Sequence, residues 1–172
     1  MGLLQLKNLT VRGCIGSPGV WPAAIRFLER TGLDLSPIQT HHFGLTDAVL
    51  NGEAAHALRM LEGLRGEGVE PPVILWALAR ELRLLANISL QYSQGTPLDK
   101  AFSQAKPPVW DKRKPLMSKA LQRYSAQRWA QLLLEAQRID AQIKGQAAGS
   151  PWMSLSRLTL LMAGQRLTLP AE

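Results

Sequence analysis

From residue 43 onward, apolar positions recur at spacings of three and four, the period of a helix buried on one side. Ala54, Ala57, Leu58, Leu61 and Leu64 follow this spacing and predict a helix from Glu53 to Leu64, closed by Gly66 and Gly68. A shorter helix over Leu45–Leu50 precedes it and stops at the Asn51-Gly52 pair, residue types that take the left-handed conformation ending a helix. The next helix starts at Pro71-Pro72, where missing amide donors cost little, and runs to Gln94. Its stripe is Leu75, Leu78, Leu82, Leu85 and, slightly rotated, Ile88 and Tyr92. Thr96, Pro97 and Asp99 form a variant capping box for a fourth helix that ends before Pro107-Pro108.

A fifth helix is predicted over Pro108–Arg123. Ser125 caps a sixth that reaches Lys144, with Trp129, Leu132, Leu133, Ala136, Ile139 and Ile143 on one side. After the break at GQAAG, Ser150-Pro151 opens a seventh helix over Trp152–Ala163. Trp152, Leu155, Leu158, Leu160, Leu161 and Met162 cover more than half its circumference, so it must be buried against its own bundle or a partner. The first 42 residues are less clearly patterned: an extended piece at Leu6–Arg12, the turn-rich GCIGSPG, a helix over Pro22–Thr31 with Ala24, Ile25 and Leu28 on its apolar face, and a connector, LDLSPIQTHH. Strand and helix do not alternate, no glycine-rich phosphate loop follows a strand, and no unit repeats. The expected fold is all-α, a bundle of six or seven helices over 43–172, preceded by a weakly structured section over 1–42.

Composition fits this picture. A chain of 172 residues, 46% apolar and 19% charged, suffices for one core. The single cysteine, Cys14, excludes an internal disulfide and fits a reducing compartment. No segment approaches the roughly 18 apolar residues of a membrane span, and the opening residues lack signal-peptide order. The expectation is a cytoplasmic protein with no membrane partner. The formal charge of +7 is concentrated between Lys106 and Arg128, where seven cations stand against one carboxylate, Asp111. A basic run of this kind suits an acidic partner or is simply a solvated face.

Candidate chemistry is sparse. His41 and His42 are adjacent and so point apart, with no cysteine or carboxylate near. His56 is read as an edge residue, and Cys14 as an unreactive thiol with only Arg12 close to it. Glu67 and Glu70 fall in a loop, while Glu62 and Glu81 read as solvated charges on separate helices. No serine has a nucleophile-elbow context. No catalytic site, metal site or cofactor is expected. The segment Lys106–Arg123, KPPVWDKRKPLMSKALQR, stands out because Trp110 lies among cations. An indole so placed either stacks on a nucleobase while Lys and Arg meet phosphate, or folds inward as a core anchor.

Taken in order, FGLTDAVLNGEAAHALRMLEGLRGEGVEPPVILWALARELRLL, PPVWDKRKPLMSKAL and SPWMSLSRLTLLMAG resemble the C-terminal region of the delta subunit of the bacterial DNA polymerase III clamp loader. The shared pattern is a short helix ending in glycine, a helix closing near LEG, a proline-led helix with RELRLL, a VW-plus-basic segment and a final tryptophan-bearing apolar helix. The resemblance runs from Phe43 to Gly164, about three quarters of the chain. It implies a helical collar domain that packs beside the collars of the other loader subunits. The closed ring holds the ATPase modules while the loader sets a sliding clamp on primed DNA.

The resemblance further implies that Trp152, Leu155, Leu158, Leu161 and Met162 serve subunit packing. It also implies that Trp110, Lys112, Arg113, Lys114 and Lys119 lie near primer–template DNA, with Trp110 stacking and the cations holding phosphate. Complete delta subunits are far longer, belong to the DNA polymerase III holoenzyme and carry two AAA-like modules before the collar. The clamp-contacting element belongs to the first of these modules, so clamp contact is not expected from this chain. Residues 1–42 match no part of that family pattern, and no Walker-type loop is present. From the residues alone, a stand-alone helical nucleic-acid-binding protein is the alternative.

Overall fold

The structure, a computed structural model, describes residues 36–106 and 108–166, with side chains from residue 44. The predicted extended piece at Leu6–Arg12, the helix at Pro22–Thr31 and Cys14 lie outside the described residues. Among the described residues there are seven α-helices and no strand: α1 Ser36–Asn51, α2 Ala54–Gly66, α3 Pro71–Ser93, α4 Leu98–Gln104, α5 Lys114–Leu121, α6 Ala126–Ile143 and α7 Pro151–Met162. A single 3-10 turn, Asp111–Arg113, precedes α5. This is the all-α bundle expected. No helix among the described residues is long and apolar enough to cross a membrane.

Three elements differ from the pattern-based reading. Helix α1 begins at Ser36, so much of the supposed connector, including His41 and His42, is helical; Pro37 falls in its first turn, where a proline is tolerated. Thr96 does not cap α4, whose N-cap is Pro97 with no side-chain cap bond. Its backbone is used by the preceding helix: Thr96 N–H donates to Gln91 O at 3.0 Å and Gly95 N–H to Tyr92 O at 3.0 Å, closing α3. The basic fifth helix is shorter than expected, because Pro115 cannot donate into a ladder begun at Pro108. The chain makes a 3-10 turn instead, and α5 starts with Pro115 in its first positions.

Helix α3 is the hub. It packs most extensively on α6 and also meets α1, α4, α5 and α7. Being covered on several sides, it buries Ile74, Ala77, Ala79 and Leu84 in addition to Leu75, Leu78, Leu82, Leu85 and Ile88 of the predicted stripe. Tyr92, at the end of that stripe, lies past the packing and is 62% exposed. Helix α6 presents Trp129, Leu132, Ala136 and Ile139 to the core, and Ser125 Oγ accepts from Arg128 N–H, as the sequence predicts.

The bundle is closed at the corner between α5 and α6. Arg123 Nη1 donates to Val49 O at 2.8 Å and to Met162 O at 3.1 Å, and its Nη2 donates to Leu50 O. Tyr124 Oη donates to Leu161 O at 2.8 Å, and its ring meets Trp129 edge-on with centroids 5.1 Å apart. Two consecutive residues thus capture carbonyls in the last turns of α1 and α7, of which Val49 O and Leu161 O also accept from the Gly52 and Gly164 N–H groups. Burial pushes the Arg123 guanidinium below its ordinary pKa, yet that value is so high that the group stays charged. Gly52, at φ +82°, makes the approach possible: a Cβ there would lie 2.9 Å from Arg123 Nη2.

Two expected outcomes follow from this corner. Gly68 has nearly the same backbone, φ +80°, with open space beside it. Gly68→Ala therefore bears only the left-handed conformational cost, about 1 kcal/mol, and urea denaturation should find Gly52→Ala clearly less stable. Arg123→Met leaves three carbonyls without that donor and should lose about 2–4 kcal/mol in the same measurement; equal stability of the two glycine variants would count against the clamp.

Candidate nucleic-acid interface

The segment between α4 and α5 is built to turn one aromatic side chain outward. It leaves α4 through buried Ala105, and Val109 N–H donates to Phe102 O at 3.2 Å, tying the strand-like stretch to the helix it has left. Val109 packs partly against the core. In extended chain the following side chain points the opposite way, and Trp110, at φ −69° and ψ 148°, is 78% exposed. The core-anchor reading of Trp110 is thereby set aside; among the described residues the fully buried tryptophan is Trp129. The 3-10 turn then closes with Arg113 N–H on Trp110 O at 2.8 Å.

The seven cations of the basic run separate by environment. Lys106, Lys112 and Lys119 are exposed and form no ion pair among the described residues. Lys114 Nζ lies 2.7 Å from Asp111 Oδ1. Their hydrogen bond, reinforced by charge, holds the Asp111 carboxyl below and the Lys114 ammonium above their ordinary pKa values; in so exposed a pair this contributes little stability. Arg113 faces inward, with Nη1 3.2 Å from Glu81 Oε1 on α3 and Nη2 3.3 Å from Asp47 Oδ1 on α1. Arg123 is taken up by the carbonyls described above, and Arg128 reaches Gln131 at 3.1 Å while lying over the Tyr124 ring.

An open cleft of about 350 Å³ lies beside the indole. Leu84, Val109 and Met117 contribute apolar wall, and Arg80 and Arg113 the charged side. Its aromatic face and aliphatic surface suit a flat, partly apolar group such as a nucleobase, while both guanidinium groups lie against the carboxylates of Glu81 or Asp47. Among the described residues no group of three or more His, Cys, Asp or Glu is placed to hold a metal ion.

Four of the five residues that the resemblance assigns to subunit packing are covered within this chain. Leu155, Leu158, Leu161 and Met162 are each at most 1% exposed and belong to the chain's own core. The wide apolar surface of α7 is explained by contacts with α2, α3, α6 and α1 within this chain. Trp152 is half-buried beneath the Arg65 guanidinium, 5.4 Å from the ring centroid. Among the described residues, the large apolar side chains left exposed are Leu90 and Tyr92 on α3, Leu134 on α6, Met153 on α7 and Trp110.

Glu81 is a second correction, since it is not a solvated surface charge but is 2% exposed. Its position was legible: it falls three residues after Leu78 and four before Leu85, on the apolar stripe itself. Glu62, by contrast, is exposed, as is His56.

Comparison with known proteins bears on this geometry. The family model described as the processivity clamp loader gamma complex DNA pol III C-term matches residues 42–169. The chain is 37% identical over 125 residues to DNA polymerase III subunit delta of Escherichia coli (strain K12), an overlap covering 73% of this chain and 36% of that protein. It is 29% identical over 126 residues to DNA polymerase III subunit delta of Haemophilus influenzae (strain ATCC 51907 / DSM 11121 / KW20 / Rd), covering 69% and 36% respectively. The chain thus spans little more than a third of the length of these curated relatives.

The two tryptophans give a direct check of the geometry. Trp110→Ala should change unfolding free energy by no more than about 0.5 kcal/mol, as at other exposed positions, whereas Trp129→Ala should lose about 3–5 kcal/mol. Comparable losses at the two positions, measured by chemical denaturation, would show that the segment had been placed wrongly.

Proposed function

The chain belongs to the family of the processivity clamp loader gamma complex DNA polymerase III C-terminal region, and from that premise we propose that it is the collar of a clamp-loader delta subunit. Its role is assembly: it packs beside the corresponding domains of the other loader subunits and supports the loading of a sliding clamp on primed DNA. The observation that carries this reading is the extent of the family match, whose 42–169 range takes in α2 through α7 whole. The bundle supports it by being self-sufficient. With Leu155, Leu158, Leu161 and Met162 of α7 spent on the chain's own core, lateral contacts fall to side chains that remain outside, among them Leu90, Tyr92, Leu134 and, on the outer side of α7, Met153.

Contact with primer–template DNA is the second part of the proposal. Trp110 offers a stacking face, and Lys112 and Lys119 offer charge not already committed to a carboxylate. Lys114 adds to them once Asp111 is displaced. Such contacts position a backbone and read no sequence. The parts of longer delta subunits that precede the collar hold the clamp-contacting element, so clamp contact is assigned outside this chain.

Co-purification with the ATPase subunits of the loader tests the assembly role, and recovery no greater than that of an unrelated helical protein would reject it. For the DNA contact, binding of a primed template by the assembled loader is measured across a salt series. Trp110→Ala should weaken binding by about 1–3 kcal/mol. Neutralising Lys112 and Lys119 together should flatten the log–log salt slope by about one to two. Tight, salt-sensitive binding by the isolated chain, with no recovery of loader subunits, would favour a stand-alone nucleic-acid-binding protein instead.

A further inference from the structure

Arg113 stands in the middle of the exposed basic segment, yet its guanidinium points into the protein. One terminal nitrogen meets Glu81 on α3 at 3.2 Å and the other meets Asp47 on α1 at 3.3 Å. The two carboxylates lie 32 and 66 residues away in sequence, so the contact is tertiary and joins three separate parts of the fold. Glu81 is 2% exposed, and a carboxylate so buried is tolerable only with a close partner. Arg80 Nε lies a further 4.0 Å from Glu81, which makes the group of four formally neutral. A neutral cluster has no surplus positive charge with which to attract a phosphate.

What Arg113 does instead is fixed by its backbone. Its N–H donates to Trp110 O at 2.8 Å, so the residue gripped from below by two carboxylates is bonded directly to the residue that carries the exposed indole. Before Trp110 the segment is held by the Val109 N–H bond to Phe102 O and by Val109 packing. After it, Lys114 N–H also donates to Trp110 O at 3.2 Å and Lys114 pairs with Asp111, but both contacts are local; Arg113 is the residue whose side chain ties this stretch to α1 and α3. Lys112, between the two, stays exposed.

We propose that Arg113 is a positioning residue: its bridge to Glu81 and Asp47 fixes the 108–113 segment and sets the outward presentation of the Trp110 indole, and it does not itself meet phosphate. The functional meaning of this presentation rests on the DNA contact proposed above. The bridge requires arginine, because the compact ammonium of a lysine cannot reach two carboxylates on different helices at once.

The test uses the 172-residue chain labelled with 5-fluorotryptophan, whose five tryptophans give five fluorine resonances; that of Trp110 is assigned by its loss in Trp110→Phe. Arg113→Met alone would strand a buried carboxylate, so the variant measured is Glu81→Leu with Arg113→Met, which removes both charges. Asp47→Asn, at the more exposed end of the bridge, is measured beside it as the milder change. The Trp110 resonance should move toward the position of the free amino acid in both, further in the first, with the core Trp129 resonance unmoved. Arg113→Lys should fall between wild type and the paired variant.

In the assembled loader, the paired variant should bind a fluorescein-labelled primed template about tenfold more weakly, and adding Trp110→Ala to it should lower affinity little further. An unmoved Trp110 resonance overturns the proposal. So does a salt slope that falls by about one while that resonance stays in place, since this is the behaviour of a phosphate contact. If Trp110→Ala alone leaves DNA affinity unchanged, the DNA reading fails, and the fluorine shift still decides the positioning role by itself.

Discussion

The bundle depends on a single half-buried cation. Helices α1 and α7 both end at the α5–α6 corner, and each brings carbonyls that its own ladder leaves unsatisfied together with the negative end of its dipole. Two such ends side by side are unfavourable without a positive group between them. Arg123 supplies that group, reaching Val49, Leu50 and Met162, while Tyr124 takes the carbonyl of Leu161. Glycines at 52 and 164 border the guanidinium side chain and leave it room. The geometry of both helix ends, and so the angle at which each enters the core around α3, follows from this contact.

The same economy governs the rest of the basic run. A cluster of positive charge in sequence suggests a uniform surface, but the fold divides it. Arg123 and Arg113 are drawn inward, one by carbonyls and one by carboxylates, and Lys114 is tied to its neighbour Asp111. What remains outside is a small set of lysines around one exposed indole. This leaves a surface of modest charge around the exposed indole of Trp110.

How much of this was readable from sequence depends on the range of the interactions. Helix stops at glycine, the Ser125 cap and the α6 stripe are decided within a few residues, and all were legible. Thr96 misled because two neighbouring helix ends compete for it, and the α3 end holds its backbone. Glu81 and Arg113 looked like surface charges because neither partner is near in sequence, although the place of Glu81 on an apolar stripe carried a signal. The apolar breadth of α7 was visible, but whether it meets its own chain or another is settled only by tertiary packing. Trp110 shows the reverse: its outward turn follows from the alternation of an extended segment whose preceding valine is anchored, once the helix expected there is stopped by Pro115.

The carbonyls of Val49 and the guanidinium of Arg123 are separated by 74 residues, and Met162 follows Arg123 by a further 39. Synthesis proceeds from the N-terminus, so α1 leaves the ribosome long before the residue that closes its end, and α7 emerges last of the three. The corner can form only when nearly all of the described chain is available. Completion of this bundle therefore waits on the synthesis of α7, and until then the nascent chain carries an apolar α3 without its later coverings, α6 above all, the interval in which a chaperone has most to do.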